Sequence, residues 1–288
     1  MTAPSPVLAR AQAMLEVGRP QEALTALATL PASDVMDPFA ARLRCAALAQ
    51  LGRWAEAGEA ARAALATNGP DPDLLYWLAR AEQDAGHSAQ AERILLDGLA
   101  LAPHDVDLLC AYADLCAGEG QLEKAAKLVD LAAAQDPQAP IVYATRVKVA
   151  YAAGHDREAQ RISQEFVANH PANPVANALH GGVSASRGQV RHAYDGFRRA
   201  VAEDPTDDSY AESALEMRVA AHPLMLPLRP ILRFGALKVW LAVVALISAL
   251  RLLGQPAVAL PIALTWLAFC VYSWVVPPLV RRWVRRHW

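Results

Sequence analysis

Glycine recurs at Gly18, Gly52, Gly86, Gly120, Gly154 and Gly188, each 34 residues after the last. Alanine follows five positions later every time, at Ala23, Ala57, Ala91, Ala125, Ala159 and Ala193. Proline keeps the same step at Pro103, Pro137, Pro171 and Pro205. The chain has only 15 glycines and 20 prolines in 288 residues, so chance does not align them in this way. A fixed period of this length means a stack of like units, none of which can bury its apolar face alone.

Each unit reads as two helices. In "VDLLCAYADLCAGEGQLEKAAKLVDLAAAQDP" apolar positions recur at helical spacing on both sides of Gly120. That glycine ends the first helix because it takes a positive φ without a Cβ clash. Ala125 is small enough for two helices to approach closely, and Pro137 cannot continue the second helix. Ala64, Ala132 and Ala200 supply a second small position, which Gly98 and Phe166 fill in other units. A 34-residue helix-turn-helix with Gly, Ala and Pro at these offsets resembles the tetratricopeptide repeat family. The resemblance covers roughly Pro4 to Asp207. It implies an all-α fold, a right-handed α-solenoid of about six units near residues 4–37, 38–71, 72–105, 106–139, 140–173 and 174–207. Residues 208–235 are expected to form a capping helix and a juxtamembrane linker, since the end of such a stack must be covered.

Catalytic chemistry is not written into this pattern. "AGHDREAQ", Ala153 to Gln160, gathers a histidine, two acids and an arginine, but it falls on an interhelix turn, and His87 occupies the equivalent turn two units earlier. Acids there suit the N-terminus of the following helix. Cys45, Cys110, Cys116 and Cys270 show no C-x-x-C spacing and read as small buried residues. "GGVSAS" is no nucleophile elbow, and His180 and His192 lie on different helices without a ligand-like partner. No enzyme activity, metal, cofactor or small-molecule substrate is expected.

The composition changes after the repeats. The chain is 54% apolar and 19% charged, with a mean hydropathy of +0.15. Residues 236–288 hold Lys238, Arg251, Arg281, Arg282, Arg285 and Arg286 and no acid, whereas residues 1–235 hold 21 basic against 29 acidic side chains. The acidic front argues against nucleic-acid binding. "HPLMLPLRPILRFG", with Arg229 and Arg233, suits a segment at headgroup level. Two apolar runs come next, 236–253 and 257–280, joined by "GQP" from Gly254 to Pro256. They read as a transmembrane helical hairpin with a basic tail at 281–288. Lys238 and Arg251 can snorkel to the interface, and Tyr272 and Trp274 are interfacial anchors. A soluble helical pair and a shallow hairpin confined to one leaflet are the rivals. Arginines flank both outer ends of the hairpin, which places both termini in the cytoplasm, and the N-terminus shows no secretion signal. The alanine-rich composition points to a bacterium and hence to its plasma (inner) membrane.

The family resemblance implies that first helices of successive units line a concave surface that holds a protein or peptide partner. Position by position, the facing residues are Arg42, Tyr76, Trp77, Arg80, Asp114, Lys148 and Tyr151. Tyr76, Trp77 and Arg80 are the expected anchors, since aromatics and arginine dominate interface energetics, with packing between units as the alternative for the two rings. Ala46 and Asp114 stand where the family's chaperone-tail clamp wants amides, so that mode is not expected. The function expected is a membrane-anchored scaffold. The alternative is an assembly factor for a membrane complex that binds through the hairpin, whose Ala242, Ala245 and Ala249 permit close helix contact.

Overall fold

A computed structural model describes residues 6–31, 37–228, 236–252 and 256–286 of the chain. The start near Pro4, the linker residues Arg229 and Arg233, the turn at Gly254 and the terminal His287 and Trp288 lie outside the described residues. So do the side chains of Ala242 and Arg251. All regular structure among the described residues is helical.

The helices alternate in pairs: α1 (Pro6–Glu16) and α2 (Pro20–Leu27), α3 (Pro38–Gln50) and α4 (Trp54–Asn68), α5 (Pro72–Asp84) and α6 (Ser88–Leu101). They continue as α7 (Val106–Gly118) and α8 (Leu122–Gln135), α9 (Pro140–Ala152) and α10 (Asp156–Asn169), α11 (Pro174–Ser186) and α12 (Val190–Glu203). Then come α13 (Asp208–Ala221), a 3₁₀ segment (Pro223–Leu228), α14 (Ala236–Leu252) and α15 (Pro256–Arg286). The chain divides into two compact units, Met1–Leu179 and His180–Trp288.

The turn chemistry obeys the period. Each of the six repeating glycines has a positive φ, between 69° at Gly18 and 79° at Gly86. Gly120, at 76°, closes α7 by donating its N–H to the carbonyl of Ala117, while Gln121 donates to Cys116. This is the paired-bond ending that satisfies the last carbonyls of a helix. The next helix starts two residues later in each of the six units. The six alanines five positions on are all at 0% exposure, so no larger side chain has room there.

A second register runs through the helix starts. Asp37, Asp71, Asp105, Asn173 and Asp207 all occupy the same repeat position, and each accepts a backbone N–H two or three residues ahead. These are N-caps, each worth about 0.5–2 kcal/mol. Where the small second position is lost, the neighbours adapt. Phe166 is fully buried and stacks on Tyr143 with ring centroids 5.3 Å apart, and Asn169 donates to the Tyr143 hydroxyl at 2.8 Å. At Gly98 a Cβ would come within 3.1 Å of both Leu108 methyls.

In the first unit the core is a row of local clusters. One joins Leu8, Leu15, Leu27 and Leu43, the next Cys45, Ala61, Leu74 and Leu78, and a third Leu95, Leu108, Leu115 and Val129. First helices pack on one another along the row, α1 on α3, α3 on α5, α5 on α7 and α7 on α9. Second helices make no comparable contact among the described residues. A stack closed on its first-helix side and splayed on the other is concave along the first helices.

In the second unit α12 packs on α13, and α13 on α15. Leu215 of α13 is buried with Val280 and Val284 of α15, and Val219 and Val276 pack alongside. α15 therefore continues as one helix through Pro277, Pro278 and the arginines to Arg286.

Two glycines two residues apart test this account with opposite signs. Gly118 is the last residue of α7, with no atom within 4 Å of an added Cβ, whereas Gly120 holds φ at 76°. Gly118→Ala is expected to raise stability by about 0.5–1 kcal/mol, and Gly120→Ala to lower it by about 1 kcal/mol or more, in denaturant titrations of the purified chain.

Candidate functional site: the first-helix groove

The repeat places Arg80, Asp114 and Lys148 at one equivalent position of α5, α7 and α9. Their charges alternate, and the structure joins them. Lys148 Nζ donates to Asp114 Oδ2 at 2.7 Å, and Arg80 Nη1 lies 3.7 Å from the same oxygen. Asp114 keeps only 15% of its side chain exposed, and its Oδ1 has no hydrogen-bond partner among the described residues. One carboxylate thus serves two cations while one of its oxygens remains unmet. Arg80 also donates to Gln83 Oε1 at 3.0 Å and lies over the Trp54 ring, 5.7 Å from its centroid.

A second row lies nearer the helix starts. Arg42 donates to Asp71 Oδ2 at 2.7 Å and pairs with Asp73. Asp71 uses its other oxygen to cap α5 at the Leu74 N–H, so the cap and the ion pair hold each other in place. Asp107 stands one repeat after Asp73 and forms no ion pair among the described residues. Loss of hydration, with Asp105 and Asp73 nearby, raises its pKa although the side chain still meets solvent. Asp73 is raised as well, by burial first, with Arg42 opposing. As pH falls, this acidic rim takes up protons before ordinary aspartates do.

The two aromatics sit between these rows. Tyr76 and Trp77 make an edge-on pair with centroids 5.0 Å apart. Both are partly buried, Tyr76 against the cluster of Leu108 and Leu115, Trp77 against that of Leu74 and Leu78. Burial pushes the Tyr76 hydroxyl up to about 12. Tyr151 on α9 is 49% exposed. Asp71, Asp73, Asp107, Trp54 and Gln83 are groove residues that sequence reasoning passed over. The 34-residue step from Asp73 to Asp107 was the signal available.

Elsewhere, His155 sits in its turn 3.7 Å from Glu158. It borders a shallow cavity of about 250 Å³ lined also by Val129, Arg146, Ala150 and Ile162. No group of three or more potential metal ligands occurs among the described residues. Burial drives the Cys45 and Cys110 thiols up to about 12, which leaves them unreactive.

At the apolar end the predicted interfacial residues Lys238, Arg281, Arg282, Arg285 and Arg286 are exposed, and Trp274 is 84% exposed. The Tyr272 hydroxyl donates to the Leu224 carbonyl at 2.6 Å, and Arg281 lies 3.6 Å from Glu212. Among the described residues one helical stretch, Leu264–Arg286, has the length and mean hydropathy, 1.3, of a membrane span, and only 6% of its apolar window is buried in the protein.

No family model matches the sequence, and no curated protein does. Solved structures do. A tetratricopeptide repeat protein of Thermus thermophilus aligns at 22% identity and TM-score 0.54, over 59% of this chain and 95% of its own. The Cut9–Hcn1 hetero-tetramer of the anaphase-promoting complex aligns at 15% identity and TM-score 0.57, over 73% of this chain and 42% of the other. PilW, a type IV pilus biogenesis factor, aligns at 16% and TM-score 0.52, over 72% of this chain and 96% of its own. The likeness is one of fold, and the chain has the tetratricopeptide-repeat fold.

The shared carboxylate makes a direct test. In a double-mutant cycle on Asp114→Ala and Lys148→Ala, the coupling energy is expected at about 0.5–1 kcal/mol in low salt and to shrink as salt is added, because Lys148 is half exposed. Asp114→Ala is expected to cost more than Lys148→Ala, since it leaves two cations without a counter-ion.

Proposed function

We propose that this chain is a non-enzymatic scaffold, held at the inner face of a bacterial plasma membrane by α14 and α15, that presents the first-helix groove to a protein or peptide partner. The observation that carries this reading is the alternating row Arg80–Asp114–Lys148 along three stacked first helices. A row of fixed, partly satisfied charges flanked by Tyr76 and the exposed Tyr151 suits an extended polypeptide better than a compact ligand. Both termini face the cytoplasm in this reading, by the arginine distribution. Tethering raises the partner's effective concentration near the bilayer without any covalent step.

The alternative, an assembly factor that binds membrane partners through its hairpin, has one observation of its own. Ala245, Ser248 and Ala249 form an exposed small-residue face on α14. PilW, similar in fold, is a biogenesis factor. An unrelated membrane anchor in place of residues 236–288 separates the two readings: the scaffold keeps its activity and the assembly factor loses it.

Alkaline carbonate washing is expected to leave the full chain in the membrane pellet and to release a chain ending at residue 235. Protease added outside spheroplasts is expected to spare the repeats. Release of the full chain, or digestion from outside, contradicts the reading. Charge reversal by Arg80→Glu with Lys148→Glu is expected to weaken partner capture at least about tenfold without moving the protein from the membrane.

A further inference from the structure

The final helix is longer than a bilayer needs. α15 has 31 residues, or about 46 Å at ~1.5 Å per residue, against a hydrocarbon layer of about 30 Å. About 16 Å, some three turns, must lie outside. Packing tells which end. Val280 and Val284 are 3% and 1% exposed against Leu215 of α13, Arg281 faces Glu212, and the Trp283 ring meets the His222 ring edge-on at 5.5 Å. α13 carries Asp208, Glu212, Glu216 and Arg218, which cannot follow the helix into hydrocarbon. The hydrocarbon edge therefore falls near Tyr272 to Val275, where the 3₁₀ segment is tied to Tyr272 and leaves Leu224 and Leu226 about half exposed.

Helical geometry orders the opposite face. At 100° per residue, the face away from α13 carries the exposed Leu264, Leu267, Val271 and Val275, and then Arg282, Arg285 and Arg286. The apolar strip runs straight into three cations that begin about two turns, some 10 Å, beyond Val275, and their long side chains lean back toward the N-terminus and the headgroups. Among the described residues these three arginines form no ion pair, whereas Arg281 does. Guanidinium groups bind phosphate by paired hydrogen bonds.

We infer that the last three turns of α15, with α13 and the 3₁₀ segment, form a collar that binds anionic lipid headgroups, and that Arg282, Arg285 and Arg286 take the lipid phosphates. The inference rests on the membrane reading above. It adds a preferred lipid class and a fixed depth for the second unit.

The test uses the full chain reconstituted in phosphatidylcholine vesicles containing a minority of phosphatidylglycerol, with a spin-labelled form of either lipid as probe. The native chain is expected to favour the labelled phosphatidylglycerol by at least about threefold, and the variant Arg282→Gln, Arg285→Gln, Arg286→Gln to show almost no preference. That variant should stay in the carbonate-washed pellet, since its side chains support no protein contact named above. Lys238→Gln with Arg251→Gln is expected to retain the preference. Equal selectivity in the native chain and the triple variant overturns the inference, as does equal loss in the Lys238 and Arg251 variant. Release of the native chain by carbonate overturns the membrane reading and this inference with it, whereas retention without selectivity overturns this inference alone.

Discussion

Close approach between helices is the constraint on which everything else depends. A left-handed glycine ends each first helix, and an alanine with no exposure lies against its neighbour five residues later. Fixed turn and fixed spacing together set one geometry, and repetition turns that geometry into a surface. Because each cluster is local, stability is close to a sum over units and their interfaces. The groove is then free to carry charge, since burial on the other faces of the helices supplies the stability.

The groove chemistry grows out of the same period. A residue at one repeat position meets its counterparts one unit before and after, so charge pattern along the sequence at 34-residue steps becomes charge pattern along a line in space. Arg80, Asp114 and Lys148 alternate and bind one another. Asp73 and Asp107 repeat the same sign, and the pKa of each is raised by burial first, with neighbouring carboxylates adding to it. The first row is held together, while the second remains short of positive charge and is the more open to a cation brought by a partner.

Much of this was legible in the sequence, for a physical reason. Gly18 to Gly188 and Ala23 to Ala193 respond to backbone strain and steric exclusion, which admit few residue types, so the fold shows in bare letters. The turn identity of His155 came from the same register. The caps at Asp37, Asp71 and Asp105 were equally readable by spacing but were passed over in favour of apolar periodicity. What the letters did not carry is pairing across units. That Arg42 joins Asp71 and Asp73, or that Tyr76 and Trp77 turn toward two different core clusters, depends on side-chain direction and on neighbours 30 residues away. The run of α15 past Val280 to Arg286 was hidden as well. Four arginines read as a basic tail beyond the helix, and the apolar face of α13, with Leu215 and Val219, is what α15 packs on there.

Site-specific photo-crosslinking in intact membranes tests the central claim most directly. A photoreactive phenylalanine is placed at Tyr151 or Asp107 on first helices, and for comparison at Leu96 or Leu131, which are 48% and 55% exposed on second helices. Discrete protein adducts from the first pair and few from the second are the predicted result. Adducts of equal yield from both pairs, or from the second pair alone, would contradict it.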